Sequence, residues 1–96
     1  MNRAKVLKIL RERKIEISSY HVQALYLFGS VARNEARSDS DVDLLVEFAQ
    51  PVGLFTFIGL KQYLETLLGC KVDLGTPNSL KPRLRQRILG EAIHVT

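Results

Sequence analysis

The sequence predicts an α/β (α+β) protein, a small mixed β-sheet with helices packed against it. Two observations carry this expectation. Short apolar runs of strand length recur at residues 22–28, 41–46 and 71–74, and longer segments with helical apolar spacing lie before, between and after them. Alternation of the two periodicities within 96 residues is the pattern of a sheet covered by helices. That length suits a single domain, residues 1–96, with one modest core.

The chain opens with residues 3–14, which read as one amphipathic helix with Val6, Ile9 and Leu10 on a side and basic groups elsewhere. Its basic face is expected to be solvated rather than a nucleic-acid groove. Residues 22–28 are nearly all apolar, as a central strand buried on both faces requires. His21, just before, has no second ligand at metal spacing and ends a loop. Gly29 lets the backbone approach a ligand with no Cβ in the way, and Ser30 is suited to open a short helix through Val31, Ala32 and Arg33. Free N–H groups at a helix start bind phosphate. Arg33, one turn on, adds positive charge there or clamps a nearby acid.

After a polar turn the strand Asp41 to Val46 begins. Side chains alternate along a strand, so Asp41 and Asp43 project from one face and Val42, Leu44 and Val46 from the other. Carboxylates held roughly 6 to 7 Å apart by the strand repeat repel each other unless a cation lies between them. Oxygen-only ligands favour magnesium or manganese, with positions open for water and substrate phosphate. Each piece alone has a plainer reading, since Gly-Ser is a common turn and Asp-rich turns are common on surfaces. A calcium loop is excluded: Asp39, Asp41 and Asp43 match its first ligands, but Leu44 and Gln50 stand where it needs Gly and Glu.

Ala49, Gln50 and Pro51 break the chain, and residues 53–68 read as a helix whose stripe of Phe57, Leu60, Leu64 and Leu67 is core. Gly69 stops it. In the strand 71–74, Asp73 sits between apolar neighbours, where an isolated acid is often a turn residue. Asn78 or Ser79 can cap a last helix with Pro82 in its first turn, Leu84 and Ile88 facing inward and Gly90 at its end. Lys81, Arg83, Arg85 and Arg87 charge this segment, first as a solvated face and second as a contact for nucleotide phosphates, RNA or an acidic partner. Ile93 and Val95 alternate with polar residues as a final edge strand.

The run Leu27 to Phe48, with Gly29-Ser30, then Arg33, then Ser38-Asp39-Ser40-Asp41-Val42-Asp43-Leu44-Leu45-Val46, resembles the polymerase-β-like nucleotidyltransferases. More narrowly it is similar to the minimal nucleotidyltransferases, small proteins often encoded beside a HEPN-domain partner as its antitoxin. The resemblance extends over essentially the whole chain. It implies a palm-type fold with catalytic groups gathered at one end of neighbouring strands. It also implies a third carboxylate beside the first pair, for which Asp73 is the matching position. Glu47, at the far end of its strand, and Glu65, in a helix, fit less well. Asp41, Asp43 and Asp73 are then the catalytic and metal-holding groups, with Gly29, Ser30 and Arg33 on the nucleotide. Two departures stand out: Asn34 where relatives often carry Gly, and Ser38 where Pro is common.

By this resemblance the reaction is transfer of AMP from ATP, with Mg2+, as two ions, to a hydroxyl of a HEPN toxin. The acceptor implied is a tyrosine, and the chain is the antitoxin of a type VII-like toxin–antitoxin pair. Two alternatives differ in class: a catalytically silent antitoxin that neutralises by binding, and an RNA-binding module using the basic C-terminal segment. A net charge of +4, from 14 basic and 10 acidic residues, permits nucleic acid without demanding it. Cys70 is the only cysteine, so no internal disulfide forms, a reducing compartment is expected, and the thiol reads as a near-core residue. The N-terminus has charges scattered through its apolar positions, and the longest apolar run, Val52 to Leu60, is too short for a bilayer. A cytoplasmic location without a membrane follows, with a homo-oligomer through an edge strand as a further expectation.

Overall fold

The computed structural model describes residues 2–37 and 39–96. Ser38, one of the two departures, lies outside the described residues. Helix α1 spans Arg3–Glu12 and begins where the Asn2 side chain accepts from the Lys5 backbone N–H at 2.8 Å. The expected single helix to Lys14 is instead two, because α2 follows at Lys14–Ser18. At the joint, Arg13 N–H bonds back to Leu10 O at 3.1 Å, an i to i−3 bond that tightens the turn. Nothing in the residue types marks that joint.

Strand β1 is Val22–Phe28, the short helix α3 Gly29–Ala32, and β2 Val42–Phe48. Helix α4 is Leu54–Leu68, β3 Val72–Gly75, α5 Pro82–Glu91 and β4 Ile93–His94, with a 3-10 turn at Pro77–Ser79. The four strands form one mixed sheet in the order β3-β2-β1-β4. β1 is antiparallel to β2 and β4, whereas β2 and β3 are parallel. The mixed sheet with packed helices is the architecture that the two periodicities predict.

One face of the sheet holds the core. Leu25 and Leu27 of β1, Val42, Leu44 and Val46 of β2, and Val72 and Leu74 of β3 meet Val6, Leu10, Ile17, Leu60, Leu64 and Leu68 from the helices, all buried. Helix α4 fits because Leu60, Leu64 and Leu68 recur at i+4 on one side. The stripe therefore ends on Leu68 rather than the expected Leu67. Gly69 stops the helix in the left-handed conformation, φ +68°, donating its N–H to Glu65 O at 2.8 Å.

The second face is less covered. Register pairs Phe28 with Asp43 and Asp43 with Asp73, then Tyr26 with Leu45 and Leu45 with Gly75. Paired residues share a face, so this side carries Asp43 and Asp73 at one end and the buried Leu45 next to them. Tyr26 and Phe28 are only half-buried, and β1 is thus less enclosed than a strand buried on both faces.

Helix α5 departs most from expectation. None of its residues is buried, and Leu84, expected to face inward, is 46% exposed. Asn78 and Ser79 do not cap it; they lie in the 3-10 turn, where Ser79 Oγ donates to Thr76 O at 2.7 Å. The extended residue Lys81 leads into Pro82 at the first turn, and Gly90 falls inside the helix rather than ending it.

A contrast of two leucines tests this packing. In urea unfolding followed by circular dichroism, Leu64→Ala is expected to destabilise by about 2–5 kcal/mol. Leu84→Ala should stay within about 1 kcal/mol of the parent chain.

Candidate active site

Strand β1 delivers the chain to Gly29, whose φ is +73°. A Cβ placed there would lie 2.9 Å from the carboxyl carbon of Asp43 and overlap its Oδ2. The backbone at Gly29 is therefore pressed directly against Asp43, and only glycine fits both the dihedral and the space. Helix α3 starts at Gly29 itself, with Phe28 as its cap, so Ser30 is the second helical residue rather than the opener. Ser30 O accepts from the Glu35 N–H at 2.8 Å, which folds the following loop back over the helix. Asn34 takes φ +60°, the left-handed conformation in which it can replace glycine.

Arg33 closes α3. Its Nε lies 3.2 Å from Glu35 Oε2 and its Nη1 4.0 Å from Glu91 Oε2, linking α3 to the end of α5. All three side chains are half-exposed or more, so these pairs contribute little stability.

A turn then leads to the carboxylates. Arg37 N–H donates to Ser40 Oγ at 2.9 Å, and Ser40 N–H returns to Arg37 O at 3.0 Å. Asp41 follows, exposed and one residue ahead of β2 rather than within it. Val42 N–H donates to Lys71 O at 3.0 Å and so fastens the start of β2 to β3. Asp43 is half-buried and Asp73, its partner in register, is exposed. Adjoining strands lie about 4.8 Å apart, so the two acids stand side by side.

Electrostatics joins the third acid to them. The Asp43 carboxyl is pushed above the usual carboxylate range, first by burial, then by the charges of Asp73 and Asp41, with Arg33 pulling the other way. Asp43 is thus the centre of a site bounded by Gly29, Asp41, Asp73 and Arg33. Glu47 and Glu65 lie elsewhere: Glu47 raises the Tyr26 hydroxyl pKa at the far end of β2, after burial has done so, and Glu65 accepts from Val72 N–H at 3.0 Å. Tyr26 also lies on the carboxylate side of the sheet, with its ring 5.3 Å from that of His94. Its place follows from the two-residue repeat of β1 once the register with β2 is known.

Among the described residues, no three His, Cys, Asp or Glu side chains come together closely enough to hold a metal ion. Asp43 and Asp73 stand in register on adjoining strands, and the charge of Asp41 reaches Asp43 as well. The donor chemistry, carboxylate oxygen alone, is that of a hard ion, and a cation there would relieve the crowding of like charges. A crevice of about 920 Å³ opens at the other end of β2, among Phe48, Phe57, Gln50 and Asn78, and includes none of the three aspartates. Chemistry and hollow shape part company here; the charged groups define the site. Burial pushes the Cys70 thiol up, away from the activated thiolates of reactive cysteines. No described helix is long and apolar enough to cross a membrane.

The family described as "Nucleotidyltransferase domain" matches residues 3–95. Protein adenylyltransferase MntA of Thermococcus cleftensis is 44% identical over 88 residues, covering 92% of this chain and 83% of that relative. A solved structure provisionally named a minimal nucleotidyltransferase superposes with a TM-score of 0.81 at 44% identity, covering 97% of this chain and 95% of its own. A toxin–antitoxin crystal structure with AMP-PNP gives a TM-score of 0.70 at 27% identity, covering 100% of this chain and 73% of its own.

Two outcomes follow from the Asp43 environment. Its raised folded-state pKa means that the folded chain holds more protons than the unfolded one, in the window from the ordinary carboxylate range up to the raised value. Stability is therefore lost as pH rises through that window. Asp43→Asn should melt a few degrees higher than the parent at pH 7 without divalent cations, and the gain should vanish below the ordinary carboxylate range. Gly29→Ala should destabilise by roughly 1–2 kcal/mol from the dihedral alone. Displacement of Asp43 should appear as an altered Asp43 side-chain resonance in NMR.

Proposed function

The chain belongs to the nucleotidyltransferase domain family, and from that footing we propose that it transfers AMP from ATP to a hydroxyl of a protein partner. The observation that carries this reading is Asp43, held against the Gly29 backbone and beside Asp73. In the proposed reaction the acceptor oxygen attacks the α-phosphorus, the bond to the bridging oxygen breaks and pyrophosphate leaves. Asp73 orients the acceptor hydroxyl and takes its proton. The backbone at Gly29 and Ser30 seats the terminal phosphates, and Arg33 turns from its acidic neighbours to add positive charge beside them. Asp41 and Asp43, with Asp73, would hold magnesium, which when bound neutralises the charge on the phosphate oxygens.

Adenylyl transfer is supported by the name of the 44% identical relative and by AMP-PNP in the toxin–antitoxin crystal structure. That second likeness also supports an antitoxin role, and the family resemblance adds a HEPN toxin as partner with its tyrosine as acceptor. ATP, magnesium and a lone reduced thiol suit a cytoplasmic setting for the whole chain acting as one domain. The basic segment around α5 favours an RNA reading through its four exposed or half-exposed cations, Lys81, Arg83, Arg85 and Arg87.

Intact mass spectrometry of the HEPN partner after incubation with this chain, ATP and magnesium tests the proposal. The partner should gain AMP units, and the Asp41→Asn, Asp43→Asn double variant should slow this by about 10²-fold or more. A partner of unchanged mass in a stable complex would sink the enzymatic reading in favour of neutralisation by binding. RNA affinity that falls steeply with salt and survives the double variant, with no mass gain, would favour the nucleic-acid module.

A further inference from the structure

We propose that Glu65 is a positioning residue for the reaction, holding the start of β3 so that Asp73 stands beside Asp43; the inference rests on the nucleotidyl-transfer reading. Glu65 lies on the last turns of α4 and is half-buried. Its Oε2 accepts from the Val72 backbone N–H at 3.0 Å, and Val72 is the residue before Asp73. The Glu65 backbone carbonyl accepts from Gly69 N–H at 2.8 Å. One side chain and its own carbonyl therefore close both ends of the junction between α4 and β3.

The need for such a clamp follows from the sheet. β3 is an edge strand of four residues, paired only with β2. Lys71 O accepts from Val42 N–H, so at Lys71 the backbone groups turn toward β2. Backbone polar groups alternate sides along a strand, so the Val72 N–H turns toward the free edge, where no strand is available to receive it. Glu65 receives it there. With Val42 gripping one side and Glu65 the other, the strand is fixed on both edges just ahead of Asp73. Without the carboxylate, the first donor of a very short strand loses its partner and β3 is free to shift against β2. A displacement near 1 Å at a reacting group lowers rates by about 10²-fold.

The requirement is for an acceptor oxygen, and the amide of glutamine supplies one without the charge. This separates positioning from a direct electrostatic role. Glu65→Ala and Glu65→Gln are compared with the parent for kcat and ATP KM in AMP transfer. Their Mn2+ affinity by electron paramagnetic resonance and the hydrogen exchange rate of the Val72 amide are measured alongside. Glu65→Ala is expected to lower kcat by about 10- to 100-fold with an unchanged ATP KM. It should also weaken Mn2+ binding and speed exchange at Val72, and Glu65→Gln should restore most of each. Parent values of kcat and Mn2+ affinity in Glu65→Ala would overturn the proposal. So would a Gln variant as impaired as the Ala variant while both melt at the parent temperature, which would assign the effect to charge. Should the parent chain transfer nothing, the proposed function falls, and Mn2+ affinity with Val72 exchange then decides the role of Glu65 alone: weakened in Ala and restored in Gln upholds it, parent-like in Ala overturns it.

Discussion

The parallel pairing of β2 with β3 is the constraint on which the rest of the structure depends. It sets Asp43 beside Asp73 across two strands, and the antiparallel pairing of β2 with β1 brings the same Asp43 beneath Gly29. Neither acid would choose such company in water. Like charges at strand spacing oppose each other, and Asp43 is further disfavoured by partial burial, as its raised pKa records. The arrangement persists because the opposite face of the same strands is anchored in the core. Val42, Leu44 and Val46 alternate with Asp43, Leu45 and Glu47, so the register that buries the first set also fixes the second. Slipping β2 by one residue to separate the acids would turn buried aliphatic side chains out to solvent.

Local features refine what the register sets. Glycine at position 29 permits backbone contact with Asp43 that any larger residue would prevent, and the turn from Arg37 to Ser40 leads Asp41 to the mouth of the site. The α4 to β3 junction, closed by Gly69 and Glu65, aligns the short edge strand that bears Asp73. Outside this region the constraints relax. Helix α5 connects the β3 side to β4 with no residue buried, and Glu91 at its end lies 4.0 Å from Arg33.

The sequence made the sheet legible because its strands announce themselves. Val22–Phe28 is found with the bounds its apolar run predicts, and Gly69 ends α4 in the left-handed conformation glycine allows. Asp43 and Asp73 stand side by side on adjoining strands, where the family resemblance puts the third acid, whereas Asp41, which alternation sets on the Asp43 face of one strand, stands ahead of β2. What stayed hidden depends on three-dimensional closeness. No residue type marks the joint at Arg13, the press of Gly29 against Asp43 requires knowing which strands pair, and the hydrogen bond from Val72 to Glu65 joins residues on different elements. The inward facing of Leu84 failed for a related reason: helical spacing identifies an apolar stripe but not whether another surface comes close enough to cover it.

Paramagnetic broadening by Mn2+ in an amide-resolved NMR spectrum tests the central claim most directly, that three separated aspartates make one cation-binding site. At low Mn2+ the account predicts that signals of Gly29, Asp41, Asp43 and Asp73 broaden together, ahead of all others, and recover when magnesium is added in excess. Broadening that begins instead around Gln50 and Asn78, at the opposite end of β2, or that reaches Asp41 while sparing Asp73, would contradict it.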